Sequence, residues 1–159
     1  MIRQMFYVVA LLLALPVAGH ATQQEWYSTE PKSKIDDSVG FFATLASMDE
    51  KSELSLRCRE GKTDIFIRLL GRYTSFNSDG VKVIYRIDDK KAVRAKWIAS
   101  TGNEAVFVTV PIKFIKSLPN NGRLVVRIED FRGAQSEYEY DLHRMDEMRT
   151  QLAAHCGWK

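Results

Sequence analysis

The chain has 159 residues, of which 45% are hydrophobic and 27% are charged, and this balance is typical of one ordinary globular domain. Its formal net charge of +3 is too small to indicate binding to nucleic acid or to an anionic membrane surface. The sequence has no long charge runs, internal repeats or low-complexity tracts, so it does not predict a disordered or repetitive protein.

The first residues of the chain have the features of an export signal. Residues 1–4 are short and basic, residues 5–15 form an apolar run, and Pro16 interrupts that run. Small residues around Ala21 suit the positions that signal peptidase recognises, so we expect cleavage after Ala21 and a mature chain that begins at Thr22.

The apolar run is shorter than the roughly 20 residues that a membrane-spanning helix needs. No cysteine lies near the cleavage site, so the sequence does not predict a lipid anchor. We therefore expect residues 1–21 to be a signal peptide and residues 22–159 to form a single β-rich domain in the periplasm, with no stable membrane span. An uncleaved N-terminal anchor is the alternative.

Several segments of the mature chain have the composition and alternation of β-strands. Residues 39–46 are apolar nearly throughout and would also suit a short helix, but their Phe, Val and Thr side chains favour a strand. Polar turns separate the strands of residues 81–110, which predicts a β-meander there. In chain order the predicted strands are residues 39–46, 54–59, 63–70, 81–87, 92–99, 105–110, 124–128 and 135–140.

Two segments have helical periodicity. Residues 111–118 begin with proline, which suits the first turn of a helix, and carry apolar residues at helical spacing. Residues 141–155 have the same spacing, with Asp141 as the expected cap and acidic residues near the start. The predicted fold class is therefore mainly β (α+β): an antiparallel β-sandwich-like domain with a C-terminal helix.

The two cysteines, Cys58 and Cys156, predict a disulfide. Alternation within residues 54–59 directs Cys58 toward the core. An even number of cysteines in an exported chain favours pairing in the oxidising periplasm, and two buried free thiols are the alternative. The cysteines are too far apart for a redox motif of the CxxC type, and together with His155 they are too few for a zinc site.

Motifs of catalysis are absent from the sequence, which contains no GxSxG, HExxH, P-loop or GxGxxG. His143 and His155 are twelve residues apart on the predicted last helix, so we expect solvated side chains rather than a metal pair. Asp88 and Asp89 lie beside lysines in a turn, which favours turn chemistry over acid–base catalysis. Ser100 lacks an evident base and indicates a loop. The sequence thus predicts no catalytic residue, metal site or cofactor.

The central hairpin has two different faces. Because alternate residues of a strand point to opposite sides, Tyr85 and Trp97 are expected in the core, and a set of cations is expected on the other side. A possible surface for an acidic partner is the cationic face, which consists of Lys82, Arg86, Arg94 and Lys96. The alternatives are a merely solvated face, or an internal ion pair between Arg86 and Asp88 or another carboxylate.

Several motifs spread over the mature chain match those of one known family. They are Trp26, Leu54-Ser55-Leu56-Arg57-Cys58 with Thr63 after it, Val83-Ile84-Tyr85-Arg86-Ile87-Asp88, Trp97 with Ser100, Ala105-Val106-Phe107, Ile112 to Leu118, Tyr140-Asp141-Leu142 and Cys156-Gly157-Trp158. On these motifs the chain resembles the VasI/TagO family of type VI secretion system-associated proteins. The resemblance implies an accessory role at the cell envelope, with envelope or secretion-system proteins as partners and no catalytic residues to carry over.

Two functions of different classes follow. The favoured one is a non-enzymatic periplasmic accessory or interaction protein, associated by resemblance with a type VI secretion system. The other is a small cell-envelope enzyme, or an inhibitor of such an enzyme, that acts at the cell wall. Neighbouring secretion-sheath and baseplate genes would favour the first, whereas a deep cleft with convergent carboxylates or a serine–base pair would favour the second.

Overall fold

In a computed structural model, the protein is described over residues 24–71 and 75–158, so the predicted signal segment and its cleavage site lie outside the described residues. Among the described residues, no helix combines the length and the apolar character needed to cross a membrane. The strands are β1 (Tyr27–Thr29), β2 (Phe41–Ala46), β3 (Ser52–Arg59), β4 (Lys62–Leu69), β5 (Val81–Ile87), β6 (Val93–Ala99), β7 (Ala105–Phe107), β8 (Arg123–Glu129) and β9 (Gln135–Asp141), and the helices are α1 (Pro111–Ser117) and α2 (Met145–Cys156).

The described strands form one antiparallel sheet in the order β1-β2-β3-β4-β7-β6-β5-β8-β9. The predicted meander is β5-β6-β7, which runs back through the middle of the sheet until β7 pairs with β4. The predicted hairpins are β3-β4 and β8-β9. The expected fold class, a mainly antiparallel β protein with a C-terminal helix, is confirmed.

The sheet curls so that β9, at one end, contacts the β2-β3 turn near the other end, which gives the sandwich-like form. The backbone N–H of Met48, in the turn after β2, donates to the Glu139 carbonyl of β9 at 2.8 Å. The buried hydroxyls of Ser52 and Tyr140 lie 2.6 Å apart. Burial raises the pKa of the Tyr140 phenol, so this group stays protonated and able to donate.

Strand alternation determines which side chains of the central hairpin enter the core. Trp97 of β6 is 2% exposed, and its ring centroid lies 6.0 Å from that of Tyr85 and 5.6 Å from that of Phe114. Because Phe114 belongs to α1, this contact also fixes the short helix beneath β5 and β6. Tyr85 is half-buried and packs against the core, as its phase predicts.

The predicted disulfide between Cys58 and Cys156 is present, with a Cα–Cα distance of 5.6 Å. It joins β3 to the last residue of α2 across a sequence separation of 98. Beside it, the ring of His155 stacks on Phe41 at 5.5 Å. A disulfide is consistent with an oxidising, exported compartment.

The start of the last helix differs from the prediction. Asp141 is the final residue of β9, opposite Arg123 of β8, because the ladder with β8 continues that far and competes with helix formation. Helix α2 begins at Met145, after Arg144 in a left-handed conformation with φ 56°. The Asn120 side chain, rather than Asp141, accepts a hydrogen bond from a first-turn amide, the N–H of Asp146, at 2.8 Å.

One strand ends earlier than predicted, and another strand was not predicted at all. The strand predicted over residues 105–110 ends at Phe107, and the N–H of Val108 then bonds to the Ile65 carbonyl as the chain turns into α1. The short strand β1 has no pattern in the sequence that predicts it. It lies beside β2 in a segment that the indole N–H of Trp26 anchors by donating to the His143 carbonyl at 2.8 Å.

Replacing Trp97 by Ala should lower the free energy of unfolding by about 3–5 kcal/mol, because it removes a buried ring and leaves a cavity. Val93→Ala is the matched control on the same strand; Val93 is 45% exposed. That change should alter stability by about 0.5 kcal/mol at most. Urea denaturation followed by circular dichroism measures both. A Trp97→Ala protein as stable as the wild type would exclude Trp97 from the core.

Replacing Cys58 and Cys156 together by serine should destabilise the protein by roughly 4–5 kcal/mol in the chain-entropy treatment, because the crosslink closes a long loop in the unfolded state. The same denaturation curves measure this loss. Thiol counting on exported wild-type protein, under denaturing and non-reducing conditions, should find no free thiol. Two free thiols would contradict the pairing.

Candidate functional site

The four residues of the cationic face lie on the outer side of β5 and β6, and all four are exposed. Lys82 lies directly opposite Lys96, and Arg94 lies opposite Ile84. Arg86 is one alternation further along β5, opposite Val125 of β8. The alternation of the sequence therefore located this set of side chains correctly, while their role as a partner surface stays a prediction.

Each of the two lysines has a carboxylate partner. The Lys82 ammonium lies 2.8 Å from Glu129 of β8, and the Lys96 ammonium lies 3.1 Å from Asp79. The hydrogen bond from Lys82 lowers the pKa of Glu129, and the hydrogen bond from Lys96 lowers the pKa of Asp79. Both ion pairs stabilise the folded state at pH values above the ordinary carboxylate pKa. This stabilisation is lost as the pH falls through the lowered pKa that the carboxylate has in the folded protein.

The two arginines of the cationic face differ from the lysines. Within the described parts of the chain, neither the Arg86 nor the Arg94 side chain forms a hydrogen bond or an ion pair. The alternative, an internal ion pair between Arg86 and Asp88 or another carboxylate, does not form within the described residues. The Asp88 carboxylate instead accepts the N–H of Arg123, the first residue of β8, at 2.8 Å. Both guanidinium groups are therefore free to bind a carboxylate from outside.

An open groove of about 410 Å³ runs along this side of the sheet. Ile84 supplies apolar contact in it, and Arg127 of β8 is held by Glu137 at 2.7 Å. A guanidinium presents a planar fork that matches a carboxylate or phosphate in a bidentate geometry. The groove is lined by Lys82, Val83, Ile84, Arg94, Ala95, Lys96, Arg127, Glu129 and Gln135.

The outer side of the other half of the sheet carries a cluster of aromatic side chains. The Phe66 ring lies 4.6 Å from Phe107 and 6.4 Å from Phe42. Arg57 lies 5.4 Å above the Phe66 ring and bonds to Asp64 at 2.6 Å, so its charge is satisfied within the sheet. Sequence reasoning missed this cluster, although Phe66 stands out as an aromatic residue between inward-facing isoleucines.

His143 and His155 are not solvated helix residues, so that expectation is wrong. His143 precedes α2, is 6% exposed, and its Nε2 lies 3.2 Å from Glu25. Its carbonyl accepts from Trp26, so the N-terminal segment covers it. His155 does lie on α2 but is half-buried against Phe41. These contacts join distant parts of the chain, and the helical spacing of the segment does not reveal them.

The other polar residues singled out in the sequence have structural roles. The Ser100 hydroxyl accepts the N–H groups of Glu104 and Ala105, each at 3.0 Å, and closes the β6-β7 loop. Asp88 lies in the predicted turn between β5 and β6, and its carboxylate joins that turn to β8 by accepting the N–H of Arg123. Within residues 24–71 and 75–158, no group of three or more His, Cys, Asp or Glu side chains is placed to hold a metal ion.

The structure thus defines the class of protein. It is a mainly antiparallel β protein whose C-terminal helix is joined to the sheet by a disulfide and whose central hairpin has a cationic outer face. Comparison of the chain with protein-family models, with curated proteins and with solved structures gives no match in any of the three.

Arg86→Ala and Arg94→Ala should each change the free energy of unfolding by only about 0.5 kcal/mol, because both side chains are exposed and have no partner in the described residues. Arg57→Ala is the contrasting variant. It leaves the Asp64 carboxylate, 16% exposed, without its partner. This should cost about 1–3 kcal/mol. Thermal and urea denaturation measure the free energy of unfolding of each variant. A loss of several kcal/mol in Arg86→Ala would make Arg86 structural.

Proposed function

We propose that the protein is an exported, non-enzymatic accessory protein of the cell envelope that serves a type VI secretion system. In this role it binds an acidic region of a partner protein through its cationic face. The motifs that resemble those of the VasI/TagO family support the association with secretion, and the disulfide supports an oxidising compartment. The partner belongs to the envelope or to the secretion apparatus.

The observation that carries this proposal is the difference between paired and unpaired cations on one surface. Lys82, Lys96 and Arg127 are each held by a carboxylate of the same chain. Arg86 and Arg94, on the same side of the sheet, have no such partner in the described residues. Their positive charge is therefore directed to solvent, where it can steer and orient an acidic partner.

The geometry of the groove suits binding better than hydrolysis at the cell wall. Hydrolysis of a glycan generally requires two carboxyl groups on either side of the scissile bond, one of them with a raised pKa. The carboxylate of Glu129 in the groove instead has a lowered pKa, because it accepts a hydrogen bond from Lys82. Glu129 thus has the properties of a structural ion pair and not of a proton donor.

The proposal is tested by reversing the free charges in a host that carries a type VI secretion system. The double variant Arg86→Glu with Arg94→Glu, expressed from the native locus, should reduce release of the secreted tube protein to the level of a gene deletion. The reason is that the variant repels an acidic partner while its core is unchanged. Immunoblotting of culture medium and periplasm measures secretion and variant abundance.

The matched control is Arg59→Glu with Lys62→Glu, which makes the same change in net charge at two exposed positions on the β3-β4 hairpin. This control should secrete normally. Normal secretion by the Arg86 and Arg94 variant would exclude the cationic face as the functional surface. Normal secretion by the gene deletion would exclude the association with type VI secretion.

A further inference from the structure

Strand β6 has an open edge over most of its length. Val93 to Trp97 pair with β5 on one side, whereas only Ile98 and Ala99 pair with β7 on the other. Strand β7 is too short to continue, because the chain leaves it after Phe107 and enters α1. Within the described residues, no strand and no backbone hydrogen bond outside the β5 ladder engages residues 93–96. The backbone donors and acceptors on that side of residues 93–96 therefore have no partner strand among the described residues.

The side chains along this edge have a definite character. Arg94 is exposed and without a partner in the described residues, and Lys96 is held by Asp79. Val93, on the opposite side of the strand, is 45% exposed and apolar. Proteins commonly protect an open edge with proline, a bulge or charge, and residues 93–97 contain no proline. The charges here have one sign, so the edge repels a second copy of β6 and attracts an acidic segment.

We propose that an extended acidic segment of a partner protein adds to β6 as a further strand along Val93 to Lys96. This inference rests on the proposed function, because it specifies how the partner binds at the cationic face. Main-chain hydrogen bonds to the open edge supply affinity, and alternate side chains supply specificity. The added strand carries carboxylates on the outer side, beside Arg94 and Lys96, and apolar residues on the inner side, beside Val93.

The chemistry of the ligand is therefore a sequence that alternates acidic and apolar residues. The probe is a capped synthetic peptide of alternating valine and glutamate, added to the mature wild-type protein. Two further probes have N-methyl groups on alternate residues, one in each phase. Only one phase removes the N–H groups that face β6, because successive N–H groups of a strand point to opposite edges. A peptide of alternating valine and lysine tests the sign of the charge.

Calorimetry and hydrogen exchange give separate readouts of this binding. The acidic peptide should bind, the lysine peptide should not, and one of the two N-methylated peptides should lose binding. Arg94→Glu should weaken binding about tenfold, because an exposed attraction becomes a repulsion. The exposed control Arg59→Glu, on β3, should bind like the wild type. Amide exchange of residues 93–96 should slow when the peptide is bound.

The outcomes separate this inference from the proposed function. Binding without slower amide exchange at residues 93–96, or equal binding of both N-methylated peptides, overturns strand addition and leaves an acidic partner lying across the face. Absence of binding at millimolar peptide also overturns strand addition. The secretion assay with Arg86→Glu and Arg94→Glu tests the proposed function without reference to the edge.

Discussion

The packing of Trp97 against Tyr85 and Phe114 is the interaction on which the rest of the structure depends. It fixes the side of β5 and β6 that faces the core, and it therefore fixes the side that faces solvent. A strand cannot turn adjacent residues to the same side, so burying Trp97 exposes Lys96. A slip of one residue would exchange the two sets, at the cost of burying several unpaired cations. The cationic face is thus a direct consequence of the aromatic contact beneath it.

The stabilising contacts of the fold lie away from this face. Helix α2 is fixed at its end by the disulfide of Cys156, and the segment before it is fixed by the bond from Trp26 to the carbonyl of His143. The sheet closes through the contact of Ser52 with Tyr140. Arg86 and Arg94 contribute to none of these contacts. The residues that stabilise the fold are therefore different from the two arginines proposed to bind a partner.

The sequence predicted those features that depend on short-range alternation. The bounds of β5, the inward direction of Cys58 and the separation of Trp97 from Arg94 all follow from a period of two, and the structure has them. The later start of α2 was not predictable, because the ladder between β8 and β9 extends to Asp141 and outweighs the helical spacing. The burial of His143 was missed for a similar reason, since it depends on a segment far away in the chain.

The sequence predicted the candidate site only in part, as it did the fold. Alternation placed Lys82, Arg86, Arg94 and Lys96 on one side, but it gave no indication of which of them have partners. Those partners, Glu129 and Asp79, come from β8 and from the loop before β5, and only the strand order brings them to the face. The open edge of β6 was hidden for the same reason, because it results from the early end of β7 at Phe107.

The central claim is that the cationic face contacts an acidic region of a partner in the cell. Site-specific photocrosslinking tests it most directly, with a photoreactive amino acid in place of Arg94 and, as the control, in place of Arg59 on β3. Mass spectrometry then identifies the crosslinked peptide. The account predicts an adduct at position 94 whose peptide is acidic, and no such adduct at position 59. Equal adducts at both positions, or a crosslinked peptide without acidic residues, would contradict it.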